Sequence, residues 1–373
     1  MIICRAPGLC NAHPRGNHII AHQVAIVIGV SGVTGTPLAE QLLQSPEWKV
    51  YGVSRGARRF SAEKPRGAFF HVSVDLTDRQ ATRRVLGACS DVTHVFYCAN
   101  HGDKYTRLAM IANVIDAVQA AASNFANINL LQGTKYYASH LGAFKTPAKE
   151  SDPRTPGADF YYSEEDLVIE RQRGKRWTWT AVRPHSVCGY AAGNPMNLVS
   201  LIGIYGSILR ELGQPFGFPA SQRCFETLFD VCDSGLLSRA AIWVSTAARC
   251  GNQAFNVNNG DYFRWKNLWP ALAGFFGLAP AGPQRYLMAE FLRDKRQLWD
   301  EMTAKHGLQP FPFDRAPGWA QGDYTPPHSR FACEYDLISD LVKIRQHGFC
   351  EAMDSEHMFL AILARLRAEK VIP

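Results

Sequence analysis

The sequence predicts an α/β chain built on a doubly wound parallel sheet, with a smaller, mostly helical C-terminal substrate lobe. Three observations predict it. Val24–Ile28 is wholly apolar and mostly β-branched, as a strand buried on both faces should be. A glycine-rich turn, Gly29-Val30-Ser31-Gly32-Val33-Thr34-Gly35, follows at once. Beyond it, short apolar runs alternate with helix-length segments and brief links, the pattern of parallel strands joined by crossover helices.

In order, Leu38–Leu43 reads as the first helix, Lys49–Val53 as the second strand and His71–Val74 as the third. A helix over Ala81–Leu86 leads to a fourth strand, Val92–Tyr97. Leu108–Ser123 is helical and Ile128–Leu131 a fifth strand, and Glu164–Gln172 then precedes a sixth strand, Trp177–Val182. The second half is less regular and rich in large aromatics, among them Trp243, Trp265, Trp269, Trp299 and Trp319. Residues 1–22 read as a disordered or loosely attached arm, 23–190 with 226–261 as the nucleotide domain, and 191–225 with 262–373 as the substrate lobe. Within that lobe Asn197–Leu212 reads as an amphipathic helix, with Leu198, Leu201, Ile202, Tyr205, Ile208 and Leu209 on or near one face. Its place in the chain suits a pocket wall or lid.

Composition narrows the class. At 46% hydrophobic and 20% charged, the 373 residues carry enough apolar material for a sizeable core and too little charge for a disordered chain. The net charge of +7 is scattered. Its tightest group, Arg55, Arg58 and Arg59, suits a local phosphate better than nucleic acid, which wants a longer basic stripe interleaved with aromatics. Leu198–Leu209, the longest uncharged stretch that could be helical, falls well short of the ~18 residues of a membrane span. The first 22 residues have no continuous apolar core of a signal peptide. The ten cysteines include no Cys-x-x-Cys pair and the histidines no His-Glu-x-x-His. No metal is expected, the thiols read as small buried hydrophobes, and a reducing, cytoplasmic setting is expected.

The glycine turn follows a strand and opens a helix, the context that gives such a motif meaning. Glycine lets the backbone turn tightly and approach a pyrophosphate, while the following helix presents free amides and its positive end. At the end of the second strand, where an NAD-selective site normally carries a carboxylate for the ribose hydroxyls, this chain has Val53-Ser54-Arg55. A serine and an arginine can hydrogen-bond and neutralise a 2′-phosphate, so NADPH is expected rather than NADH. Asp75, after the third strand, suits either the adenine amino group or a cap on the next helix. The residues expected to hold the cofactor are Gly29, Ser31, Gly32, Val33, Gly35, Ser54, Arg55, Asp75, Leu76 and Cys98.

The glycine spacing, together with Gln132-Gly133-Thr134-Lys135-Tyr136-Tyr137 and Phe160-Tyr161-Tyr162-Ser163-Glu164-Glu165-Asp166, resembles the extended short-chain dehydrogenase/reductase superfamily. More narrowly it is similar to the progesterone 5β-reductase and iridoid synthase-like family, over roughly residues 24 to 360. Val50-Tyr51-Gly52-Val53-Ser54-Arg55, Arg183-Pro184 and Ala254-Phe255-Asn256-Val257-Asn258-Asn259-Gly260-Asp261 match as well. The resemblance implies a Rossmann domain, NADPH, and hydride delivery to a conjugated enone or enal. In ordinary superfamily members a lysine stands four residues after the catalytic tyrosine; from Tyr162 that position is Asp166. The resemblance implies that Lys135 takes the lysine's place.

Chemically, hydride arriving at the β-carbon of an enone drives negative charge onto the carbonyl oxygen, which a phenol aimed there stabilises. Tyr162 is expected to be that donor, with Lys135 favouring its phenolate and ordering the ribose. Tyr161 is the alternative donor. Departures from the family pattern include Cys98-Ala99-Asn100-His101 without a tryptophan, Tyr136-Tyr137 after the lysine and Ala143-Phe144. His101 is either exposed or a second donor above the nicotinamide, and the pocket floor is expected to differ. The expected activity is NADPH-dependent reduction of a hydrophobic α,β-unsaturated carbonyl compound in secondary metabolism. Ketone reduction by the same phenol is an alternative, as is an NADP(H)-sensing regulator without turnover. The expected partner is a hydrophobic small molecule, with no nucleic acid and no membrane span; a homodimer stays open.

Overall fold

Seven parallel strands centre the computed structural model, which describes residues 23–56, 65–190, 198–284, 286, 288–311, 313–316 and 333–373. The expected N-terminal arm, Arg58, Arg59, Asn197 and Trp319 lie outside the described residues. The strands are β1 Gln23–Ile28, β2 Trp48–Ser54, β3 Ala68–Ser73, β4 His94–Tyr97, β5 Asn127–Leu131 and β6 Thr178–Arg183. Four short strands follow, β7 Val187–Cys188, β8 Phe216–Phe218, β9 Leu228–Phe229 and β10 Cys232–Asp233, before β11 Gln253–Asn256 closes the sheet. Its order is β11-β6-β5-β4-β1-β2-β3. The winding therefore reverses at β1, between β2 and β4, which leaves a crevice beyond the carboxyl ends of these strands.

The helices used below are α1 Gly35–Leu43, α2 Arg79–Leu86, α3 Lys104–Ala121, α4 Tyr162–Gln172, α5 Leu198–Glu211, α6 Gln222–Glu226, α7 Ser234–Thr246 and α8 Trp265–Phe276. Alternation along β1 explains why its sequence is apolar throughout. Ala25 and Val27 join the core shared with α1 and α7, whereas Val24, Ile26 and Ile28 join the core shared with α2, α3 and α4. With helices on both faces, neither set of side chains can be polar. β3 is the sheet edge and is correspondingly less buried. The side chains of Asp78 and Asp103 cap α2 and α3, accepting from Ala81 N and Thr106 N.

Two expectations change. α5 is not amphipathic: every residue from Leu198 to Leu209 is buried, including Ser200 and Ser207, and Ser207 Oγ donates back to Gly203 O at 2.7 Å. The helix packs against α8 and the C-terminal helix Ser355–Ala368, so apolar groups on all sides are what its position demands. The stretch after 262 is likewise not purely lobe, because Leu341, Ile344 and Phe349 pack into the α7 side of the sheet core beside Phe255. The lobe has its own aromatic centre. Trp265 and Trp269 of α8 are fully buried, Trp269 stacks on Phe216 at 4.4 Å, and its Nε1 donates to Phe216 O at 2.8 Å. Among the described residues no helix is long and apolar enough to cross a membrane.

Candidate functional site

A cleft of about 560 Å³ opens at the switch point. Its walls are the β1–α1 turn, the end of β2, residues 74–77 after β3 and residues 98–101 after β4, and all ten residues expected to hold a cofactor line it. The turn has the shape such a group requires. Gly29 has φ +80°, and a Cβ there would come within 3.1 Å of Ala99 N. A Cβ on Gly35 would stand 2.2 Å from Gly29 O, so the helix starts directly against the preceding strand end. Thr34 precedes α1 without a side-chain hydrogen bond into the first turn. Bare backbone at a helix start is the cradle that fits a dinucleotide pyrophosphate.

At the far end, Ser54 Oγ donates to Gly56 O at 2.9 Å and lies 2.9 Å from His71 Nε2. The serine proton is thus directed at the carbonyl, and the imidazole faces its lone pair. Arg55 is exposed beside it. Asp75 does not cap α2, since Asp78 does. Instead it accepts from Thr77 N at 3.0 Å and Thr77 Oγ1 at 2.8 Å, and these bonds hold its carboxyl below the usual range. Burial pushes the Cys98 thiol up to about 12, leaving it a protonated wall residue. His101 is exposed on the cleft rim, its Nδ1 accepting from Asp103 N at 3.1 Å.

The two tyrosines expected as donor and alternative face different surroundings. Tyr162 is buried, its hydroxyl donating to Tyr136 O at 2.6 Å and accepting from Thr155 N at 3.0 Å. Its one proton is engaged by a backbone carbonyl. Tyr161, the alternative, stands half-buried at the N-cap of α4. Its hydroxyl lies 3.6 Å from where a Cβ on Gly133 would project, and Pro184 O lies 3.2 Å from the same point. Gly133 is two residues beyond Leu131, which lines the cleft. Lys135 lies in the 3₁₀ turn Thr134–Tyr137 after β5 and is exposed, with Nζ 4.5 Å from the Phe160 ring centroid. Phe160 meets Tyr161 edge to face at 4.8 Å, so a single ring separates lysine from tyrosine.

Arg107 is a residue the sequence reading missed. It is buried on α3, pairs with Glu164 Oε1 at 2.5 Å, and donates to His101 O at 3.1 Å and Phe160 O at 2.7 Å. It thereby ties the cleft rim to the segment that leads into Tyr161. An arginine in a helix ordinarily reads as surface, and no local pattern marks it otherwise. Arg183 does similar work beneath the lysine turn, pairing with Glu165 at 2.8 Å and lying 3.3 Å from the Tyr136 ring centroid. Burial pushes the Glu165 carboxyl up, but Arg183, Gln132, Arg154 and the Tyr136 hydroxyl outweigh it and hold the group below its ordinary range. Tyr136 and Tyr137 are both buried, their hydroxyls donating to Glu165 and Asn256. These two rings brace the lysine turn.

Known proteins resemble this chain over nearly its whole length. Residues 77–373 match the PRISE-like Rossmann-fold domain family. A short chain dehydrogenase, gsfE, from Penicillium aethiopicum is 32% identical, covering 94% of this chain and 99% of that protein. An (S)-8-oxocitronellyl enol synthase from Catharanthus roseus is 31% identical, covering 94% and 92%. A 3-oxo-Delta(4,5)-steroid 5-beta-reductase from Arabidopsis thaliana is 31% identical, covering 94% and 93%. The crystal structure of the UDP-glucose 4-epimerase of Thermus thermophilus, complexed with NAD, shares the fold, with a TM-score of 0.64 at 17% identity, covering 92% of this chain and 99% of that one. With its doubly wound sheet and glycine cradle, and on these matches, this chain belongs to the PRISE-like Rossmann-fold family.

Proposed function

We propose that this oxidoreductase uses NADPH to reduce hydrophobic α,β-unsaturated carbonyl compounds at the carbon–carbon double bond, in cytoplasmic secondary metabolism. One observation carries the reading: the Tyr161 hydroxyl approaches Gly133 at the carboxyl end of β5, beside a cleft built as a dinucleotide cradle. Bound NADPH supplies the hydride. Gly29, Gly35 and the amides opening α1 would hold its pyrophosphate and Arg55 its 2′-phosphate, with Ser54 lining that end of the cleft. Tyr161 donates to the substrate carbonyl and stabilises the charge that develops on its oxygen. Lys135 keeps positive potential one ring away. The names of the Catharanthus and Arabidopsis relatives, an enol synthase and a reductase of 3-oxo-Delta(4,5)-steroids, favour conjugated substrates.

The test is NADPH oxidation, followed by absorbance, against cyclic enones, enals and matching saturated ketones. Wild type, Tyr161→Phe and Tyr162→Phe are compared. Enones should yield saturated carbonyls, and Tyr161→Phe should lower turnover by about 10²-fold or more while NADPH still binds. Tyr162→Phe should keep its turnover and lose about 1–2 kcal/mol of stability, read by denaturant unfolding. Turnover confined to ketones would make this a carbonyl reductase. NADPH binding without oxidation of any substrate would point to a sensing role.

A further inference from the structure

We propose that His185 delivers the proton that completes the reduction at the substrate α-carbon, an inference that rests on the enone reading above. His185 and Asp230 are 5% and 0% exposed and form a buried pair that the scheme so far leaves unused. His185 Nδ1 lies 2.7 Å from Asp230 Oδ1. The other carboxyl oxygen accepts from Asn258 Nδ2 at 2.8 Å and Ser339 N at 2.9 Å. Asn258 also accepts from the His185 backbone N at 2.8 Å, and the ring rests on Phe229 at 4.9 Å. The imidazole is therefore fixed in orientation, with Nδ1–H pointing at the carboxylate. Its Nε2 has no hydrogen-bond partner among the described residues.

Placement supports a chemical role. His185 follows Pro184, whose carbonyl oxygen lies 3.2 Å from the point where a Cβ on Gly133 would project, with the Tyr161 hydroxyl 3.6 Å from the same point. The Tyr161 hydroxyl and the turn that carries His185 therefore meet at Gly133. The next residue, Ser186, has φ +42° and a buried Oγ with no partner among the described residues. A side-chain-bearing residue keeps that conformation only where its surroundings enforce it, and such residues gather at functional sites.

The step balances. Hydride addition at the β-carbon leaves an enolate whose oxygen Tyr161 holds. The Nε2 proton of His185 forms the new C–H bond at the α-carbon, the enolate π pair supplies that bond, and the carbonyl double bond reforms. Neutral imidazole then regains a proton from water, and Asp230 stabilises the charged ring while it carries the extra proton.

A cyclic enone methylated at its α-carbon tests this, because protonation sets a stereocentre. Wild type and His185→Asn are given NADPH deuterated at its hydride-donating carbon, and the saturated ketone is resolved by chiral chromatography. Asparagine retains an N–H where Nδ1 donates to Asp230 and removes Nε2. Wild type should give one α-enantiomer. The variant should turn over more slowly and give both, while deuterium still arrives on one face of the β-carbon and NADPH titrates as in wild type. Undiminished α-selectivity in the variant would refute the role of His185 alone. So would a mixture of both enantiomers from the wild type, whatever the variant's folding. If no enone consumes NADPH, the proposed function falls and this step with it.

Discussion

Tyr161 and Tyr162 sit side by side in sequence and face different surroundings, because successive residues at a helix start diverge by about 100° around its axis. One hydroxyl reaches the end of β5 near Gly133, and the other seals against the backbone of Tyr136. The motif named the pair, and only the tertiary structure shows which ring faces the end of β5. At Arg55 the sequence says more, because a local turn carries the whole specificity argument. Arg55→Asp should weaken NADPH binding roughly ten- to hundredfold and shift preference to NADH, as the ratio of the two dissociation constants would report. An unchanged ratio would make the turn a solvated basic loop.

Among the elements, the β1–α1 turn was fully legible, since tight backbone approach has a residue signature. Gly35→Ala should lose at least about tenfold in NADPH affinity and about 1–3 kcal/mol in stability, because its Cβ would meet Gly29 O at 2.2 Å and backbone cannot yield cheaply. Titration and thermal unfolding check both. Helix α5 was legible as a helix but not in its burial. Its sequence offered an apolar face, yet which of its other sides are covered depends on where α8 and Ser355–Ala368 pack. Arg107 was illegible for the same reason, because its partners His101, Phe160 and Glu164 come from two other segments of the chain.

Across the whole molecule, burial also sets the response to acid. His94, at the start of β4, is packed between Trp48 at 5.3 Å and Phe96 at 6.5 Å, and burial lowers its pKa to about 4. The unfolded chain takes up that proton below about pH 6.5, whereas the folded chain refuses it until about pH 4. Its contribution is therefore complete above about pH 6.5 and falls by about 3 kcal/mol on descent to pH 4. His94→Phe should flatten that part of the stability profile measured by denaturant unfolding.

The sequence by itself determined the doubly wound sheet, the succession of its first six strands along the chain, the glycine turn and ten of the residues that line the cleft. Each of these is written in local periodicity or in turns that only certain residues can make. The tertiary structure alone decided which tyrosine faces the end of β5, that α5 is enclosed, that residues 341–349 return to the sheet, and that His185 meets Asp230. These follow from side-chain directions and from contacts between segments far apart in the chain, which local pattern does not encode.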